Sequence, residues 1–295
     1  MGWSAAQGLY NRLARAVPYI LIMPAVAYLM IFIGYPILDS LYLAFFEGGS
    51  SAFSNVDYLL NSPNSRFKEA LLYTLLLAAV VVPVETILAL AITLFLFNRF
   101  RGRDSLVYVL AIPLAISDVA AGLIWYTLLT GGGFINKLLL NIGVIDNPVI
   151  IFGYQNRLLV FAAIVVAEVW RSMAIVFIIL FAGAQLINRE VLEAAEVFGA
   201  GFLIKLRHIL IPMLKPSLQS ALIIRTLFAF QVFAVVWVLA GRDIPVLAGE
   251  TYYTLTELKL FGVAALYALI IASLSLAMGL LYLRLLKARF LEAEA

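Results

Sequence analysis

Apolar residues run along this chain in continuous blocks rather than in alternation. Polar clusters divide them into six stretches, each long enough to cross a bilayer. They run from Pro18 to Phe46, Phe67 to Phe97, Ser105 to Leu129, Leu158 to Ile187, Ser217 to Ala240 and Leu260 to Leu286. A backbone group left unpaired in hydrocarbon costs several kcal/mol, so each block must close its own hydrogen bonds as a helix. Barrel strands, which alternate apolar and polar residues over about ten positions, are excluded. The pattern therefore predicts an all-α polytopic membrane protein with six transmembrane helices.

Composition agrees and removes several chemistries. Hydrophobic residues make up 64% of the 295 and charged residues only 13%, about half the ~25% that wets a soluble domain. With no Cys, disulfides, thiolate nucleophiles and Cys-ligated metals are impossible. The single His208 cannot build a multi-His metal site, so no metal is expected. A dispersed net charge of +3 gives no footprint for nucleic acid.

The connections between blocks set the orientation. Three carry turn-forming clusters: Glu47-Gly48-Gly49-Ser50-Ser51, Gly131-Gly132-Gly133 and Gly241-Arg242-Asp243. The other two, Asn98 to Asp104 and Asn188 to Pro216, are basic. One set of loops and tails holds Arg12, Arg15, Arg99, Arg101, Arg103, Arg189, Lys205, Arg207, Lys215, Arg284, Lys287 and Arg289. The alternate set holds half as many: Arg66, Lys68, Lys137, Arg157, Arg242 and Lys259. The excess of cations places both termini in the cytoplasm. The first span is too long for a removable signal peptide and reads as a retained anchor. Pro24, Pro36, Pro83 and Pro113 are expected to kink the first three spans.

The connection Asn188 to Pro216 carries the most information. Residues Glu190 to Phe198 lack helix breakers and set Val191, Leu192, Ala195 and Phe198 at helical spacing, away from Glu190, Glu193 and Glu196. This predicts a short amphipathic helix with acids near its start, where the dipole favours them. Gly199 and Gly201 permit a sharp turn after it. A second amphipathic segment runs to Leu210, and Pro212 and Pro216 lead into the fifth span. Helices that lie in headgroups are usually rich in Lys and Arg on their polar face. Three Glu beside the small Ala194 and Ala195 fit docking on a soluble protein better.

These residues resemble a known signature. Glu193-Ala194-Ala195, three residues, Gly199, nine residues, Ile209, one residue, then Ile211-Pro212 is similar to the loop motif EAA-x3-G-x9-I-x-L-P of permease subunits in binding-protein-dependent ABC importers. The resemblance runs from about Phe67 to Leu286 and is strongest to the maltose-type carbohydrate uptake family. Ile112 to Leu139 resembles the third span and following loop of sugar permeases, Ala167 to Ile187 their fourth span, and Phe230 to Gly241 their fifth.

The resemblance implies a type I ABC importer permease fold over residues 67–286, preceded by an anchor and external loop (1–66) and followed by a cytoplasmic tail (287–295). It implies a multi-pass protein of a prokaryotic plasma membrane that carries a sugar, of the di- or oligosaccharide kind, inward by alternating access. Its implied partners are a second permease subunit, two cytoplasmic ATPase subunits that use ATP and Mg, and an external solute-binding protein. Glu193 would contact the ATPase, Ala194 and Ala195 would permit close approach, and Gly199 would seat the coupling helix, with Ile209 and Pro212 completing the motif. The chain is expected to be a non-catalytic subunit without a cofactor of its own, since no G-x-x-x-x-G-K-[ST] string occurs to cradle phosphate.

Sugar pockets combine aromatic walls with a few placed polar groups. Phe230, Gln231, Phe233 and Trp237 on the fifth span, and Trp125 and Tyr126 on the third, are the candidate path residues. Phe230, Phe233 and Trp237 share helical spacing. Among intramembrane charges, Glu168 and Arg171 are spaced to pair. Arg225 is placed to snorkel to the interface. Asp39 and Asp118 are read near span ends, and Glu85 lies deep without a local partner. Two other functions use the same acids: an ion-coupled secondary transporter through Glu85, Asp118 and Glu168, and an intramembrane enzyme through Asp39 and Asp118.

Overall fold

The computed structural model describes residues 17–47, 53–98 and 100–285. The turn cluster at Gly48 to Ser51, the cations Arg12, Arg15, Arg99, Lys287 and Arg289, and the tail 287–295 lie outside the described residues. No strand occurs among the described residues.

Among the described residues twelve helices follow one another. They are α1 (Val17–Phe46), α2 (Ser54–Asn61), α3 (Phe67–Phe97), α4 (Arg103–Ala111), α5 (Asp118–Leu129), α6 (Phe134–Asn141), α7 (Arg157–Gln185), α8 (Arg189–Val197), α9 (Phe202–Phe230), α10 (Ala234–Ala240), α11 (Leu247–Thr256) and α12 (Phe261–Leu285). Among the described residues α1, α3, α7, α12 and the stretch Asp118–Asn141 are long and apolar enough to cross a membrane, and α9 with α10 makes a sixth, broken crossing.

Two predicted spans are discontinuous. The third, read as one helix over Ser105 to Leu129, splits into α4, a 3-10 turn at Ile112–Ala115 and α5, because Pro113 narrows the turn and Ser117 caps a new helix. The Ser117 side chain accepts from Ala120 N at 3.2 Å, and Asp118 supplies the first-turn acid. Asp118 thus opens α5 and stands at the start of the crossing stretch Asp118–Asn141, near a span end as expected. The fifth span breaks at Gln231–Phe233, with a bend of 45° between α9 and α10.

The prolines act locally. Pro212 and Pro216 do not stand ahead of the fifth span as expected: α9 starts ten residues before Pro212 and runs through both. A widened turn, Leu206–Leu210, precedes Pro212, and Ile211 N–H bonds Leu206 O. The same arrangement, Met30–Gly34 with Tyr35 N–H on Met30 O, precedes Pro36 in α1. A proline ring clashes with the carbonyl four residues back, and a widened turn absorbs it. α11 falls in what reads as a loop.

α3 and α7 run parallel and form the central pair, with α9 packed on both and α12 on α9. Lipid tails are as apolar as Leu, so helices here associate by close approach rather than by leaving water. Small buried residues supply it: Ala78 and Ala89 on α3, Ala163, Ala167 and Ala174 on α7, Ala221 and Ala229 on α9. A Cβ on Gly183 would overlap Ser217 of α9, and one on Gly122 would come within 2.9 Å of Val238 Cβ. At one end of the bundle Arg157 Nη1 meets Glu69 Oε1 at 2.9 Å, tying the starts of α7 and α3. At the other, Arg189 Nη2 donates to Phe97 O at 3.3 Å. The Tyr35–Phe46 half of α1 packs against α12 and α2.

Candidate coupling corner and intramembrane charge network

α8 projects from the end of the bundle where α3 and α7 finish. Asn188 opens it: its side-chain oxygen accepts from Glu190 N at 3.0 Å. Gly199 closes it at φ +78, with Gly199 N donating to Glu196 O (2.8 Å) and Ala200 N to Ala195 O (2.9 Å). Those two bonds are the Schellman pair, and the left-handed residue they require is the reason Gly stands there. Gly201 is extended (φ −68), so the turn rests on Gly199 alone.

Only part of the expected apolar face points inward. Leu192 packs on Ala184, Ile187, Leu210 and Leu214, and Ala195 is half-buried. Val191 and Phe198, expected beside them, are exposed, Phe198 to 89% and its neighbour Val197 to 86%. The corner therefore presents Glu193, Ala194, Val197 and Phe198 outward. Lys205 of α9 pairs with Glu196 and holds the corner shut. Ile209 is half-buried in the widened turn, and Pro212 is exposed.

Inside the bundle the charges form one chain of contacts. Arg225 Nε lies 2.6 Å from Glu85 Oε1, and Arg225 Nη2 lies 3.3 Å from Glu168 Oε2. Glu168 Oε2 also meets Arg171 Nη2 at 3.3 Å, and Arg171 Nη1 meets Asp118 Oδ1 at 2.8 Å. The single Ser172 hydroxyl proton is shared between Glu85 Oε2 and Glu168 O, both within hydrogen-bond reach of Oγ. Thus α3, α9, α7 and α5 are joined. The Glu168–Arg171 pair was legible from spacing; the rest corrects the sequence reading. Arg225 does not snorkel, because two carboxylates hold it at 2% exposure, and the deep Glu85 has its partner on α9. An ion relay through Glu85, Asp118 and Glu168 is disfavoured, since each acid is held by a guanidinium. Asp39 sits exposed on α1 while Asp118 is held by Arg171.

The six candidate path residues do not share one face. Phe230 ends α9 and is buried against Leu247, Val263 and Tyr267, so its expected spacing with Phe233 and Trp237 is broken by the bend. Gln231 is exposed at the break. Phe233 and Trp237 instead form a ring trio with Tyr252 of α11, at centroid separations of 5.1–5.5 Å. Tyr252 had no signal in the sequence beyond lying in a supposed loop. Trp125 meets Trp170 edge-on at 6.0 Å, and Tyr126 stacks on Phe152 at 4.9 Å.

The two breaks lie at one depth. α5 and α10 both run away from the α8 end and touch at Gly122, Val235 and Val238. Counting back along each helix at 1.5 Å per residue brings Ser117-Asp118 level with Gln231 to within about one turn. Two helix starts and one partly exposed ion pair thus share a level inside an apolar bundle.

Known proteins share this sequence across most of its length. The chain is 29% identical over 279 residues to the trehalose/maltose transport system permease protein of Thermococcus litoralis, covering 90% of this chain and 92% of that one. To the trehalose transport system permease protein of Mycobacterium tuberculosis it is 30% identical over 235 residues, 77% of this chain and 74% of the relative. The chain belongs to the permeases of sugar ABC transport systems. No family model matches it. The permease fold also superimposes on a chain from the crystal structure of a bacterial ABC transporter involved in import of the acidic polysaccharide alginate. The TM-score is 0.80 at 21% identity, over 96% of this permease and 99% of that chain, a likeness of fold. The EAA-type loop recognised in the sequence is α8 with its glycine corner in this permease.

Proposed function

We propose that this permease carries a di- or oligosaccharide from an external solute-binding protein to the cytoplasm by alternating access, driven by ATP hydrolysed on partner subunits. α8 is the coupling helix. It faces the cytoplasm with both termini, as the cation excess expects, and seats in a cleft of an ATPase through Glu193, Ala194, Val197 and Phe198. A second permease chain, two ATPases and the external binding protein complete the assembly, with ATP and Mg bound by the ATPases. Residues 67–286 act as the transport domain and α1 as an added anchor.

The observation that carries this reading is the corner at Gly199. A helix capped at both ends by its own sequence, with two large apolar side chains facing outward, is built to be held by another body. The solute path lies at the level of the two breaks. Gln231 supplies an amide, and Phe233, Trp237 and Tyr252 supply ring faces for the C–H surfaces of a sugar.

Gly199→Val, a β-branched residue disfavoured by the left-handed backbone there, tests the coupling role. Transport and co-purification of the ATPase are expected to fall severalfold while membrane insertion stays normal. Normal uptake and normal co-purification in that variant would sink the proposal.

A further inference from the structure

A small, mostly polar cavity of about 90 Å³ lies where α3 and α7 end, lined by Phe97, Arg103, Phe181, Gln185, Ile187 and Arg189. Both arginines are held in place by the helix they close. Arg103 Nε donates to Leu96 O at 2.7 Å and lies over the Phe181 ring at 5.0 Å. Arg189 Nη2 donates to Phe97 O, with its guanidinium 6.0 Å from the Phe97 ring. Neither pairs with a carboxylate among the described residues. Each spends one donor on a carbonyl and keeps the rest.

Charge decides what the cavity can take. The C-terminal ends of α3 and α7 contribute about half a negative charge each. Two guanidinium groups, with the starts of α4 and α8 at Arg103 and Arg189, outweigh that, which leaves the cavity cationic and open to an anion. Glu193 does not cancel it: it is exposed and lines the neighbouring groove with Arg189, Leu192 and Lys205. Asp104 is exposed beside Arg103. Close in sequence to the lining residues, Phe95 (65% exposed) and Phe100, whose rings lie 5.4 Å apart, and Leu186 (87%) present apolar surface. A polar, cationic cleft with an apolar apron suits a ligand that is anionic at one end and hydrocarbon at the other.

We propose that Arg103, Arg189 and the Gln185 amide form a binding site for a phosphodiester monoanion, supplied by the headgroup of an anionic phospholipid. The site clamps the end of α3 to the first residue of α8, so an occupied site ties the membrane to that helix. It stands whether or not α8 grips an ATPase.

The test uses the assembled transporter in detergent, titrated with phosphatidylglycerol, phosphatidylcholine or inorganic phosphate and read by native mass spectrometry of the released permease. One phosphatidylglycerol is expected to be retained at least tenfold more tightly than phosphatidylcholine, and less so as salt rises. Arg103→Gln and Arg189→Gln should each lose about tenfold, as one charged hydrogen-bonded contact goes. Arg189→Lys should keep part of the preference, and Arg207→Gln, away from the cavity, should keep all of it. Because Arg103 also closes α3, Gln185→Leu serves as a milder third variant and should weaken retention without loss of protein. Equal retention of the two lipids, or unchanged retention in the Arg103→Gln/Arg189→Gln double variant, would overturn the proposal. So would displacement of phosphatidylglycerol by millimolar inorganic phosphate, which would assign the site to a soluble anion.

Discussion

Replacing Arg225 by Gln removes the cation that two buried carboxylates share. In the native cluster Glu85, Glu168 and Asp118 face Arg171 and Arg225, an excess of one negative charge; without Arg225 the excess is two. Glu85 (0% exposed) and Glu168 (2%) cannot turn to water. Breaking a buried pair by removing one partner costs about 3–5 kcal/mol, far above the ~0.6 kcal/mol typical of a membrane hydrogen bond. Glu85→Gln acts oppositely: it leaves equal numbers of acids and guanidinium groups and keeps an acceptor for Ser172. Its cost should stay near 1 kcal/mol. The double variant should cost less than Arg225→Gln alone, with a coupling of about 2 kcal/mol or more. Detergent-driven unfolding of the permease, followed by Trp fluorescence, reads these differences, because Trp170 adjoins Arg171 and meets Trp125. An Arg225→Gln cost below about 1 kcal/mol, or a Glu85→Gln cost equal to it, would refute the reasoning.

Gly199→Asn should preserve ATPase co-purification while Gly199→Val reduces it severalfold. Nothing lies within 4 Å of a Cβ there, so only the left-handed backbone discriminates, at about 1–2 kcal/mol. Gly183→Ala should destabilise the bundle by about 1–3 kcal/mol in the same unfolding assay, and Ser217→Gly should restore most of it, since that side chain is what the new methyl meets. Tyr252→Ala should raise the half-saturating sugar concentration for uptake in membrane vesicles, with ATPase assembly unchanged; unaltered uptake would remove the ring trio from the path. Asn136→Leu should free the loop it pins, as Asn136 bonds Thr130 O, Val149 O and Val149 N, and hydrogen exchange across residues 130–150 reports it.

The long helices were legible because hydropathy is summed over many residues. Phe67–Phe97 falls where the pattern put it, and α7 and α12 differ by a residue or two. The corner at Gly199 was legible for another reason: caps and turns are local chemistry. The breaks were not. An apolar average runs straight through Gln231–Phe233, and nothing in that tripeptide forbids a helix. At the third span a signal existed, Pro113 followed by the Ser117-Asp118 helix start, but the surrounding hydrophobicity outweighed it. The charge network lay beyond local reading because Glu85, Glu168 and Arg225 are separated by whole spans. Only the i,i+3 pair Glu168–Arg171 shows in sequence. Arg225 alone, near the beginning of an apolar block, suggested an interfacial residue.

α9 is unbroken over the 29 residues from Phe202 to Phe230, about 43 Å of continuous helix, and it is bolted to α8 through Lys205 and Glu196. A body that moves the Gly199 corner by a few ångströms therefore has a stiff pushrod in hand. Its far tip ends beside Gln231, so movement at the Gly199 corner would reach the level of the two breaks as displacement rather than being lost in bending. Beyond the widened turn that absorbs Pro212, the compliant joint along that line is the break itself, which is where a gate would have to give.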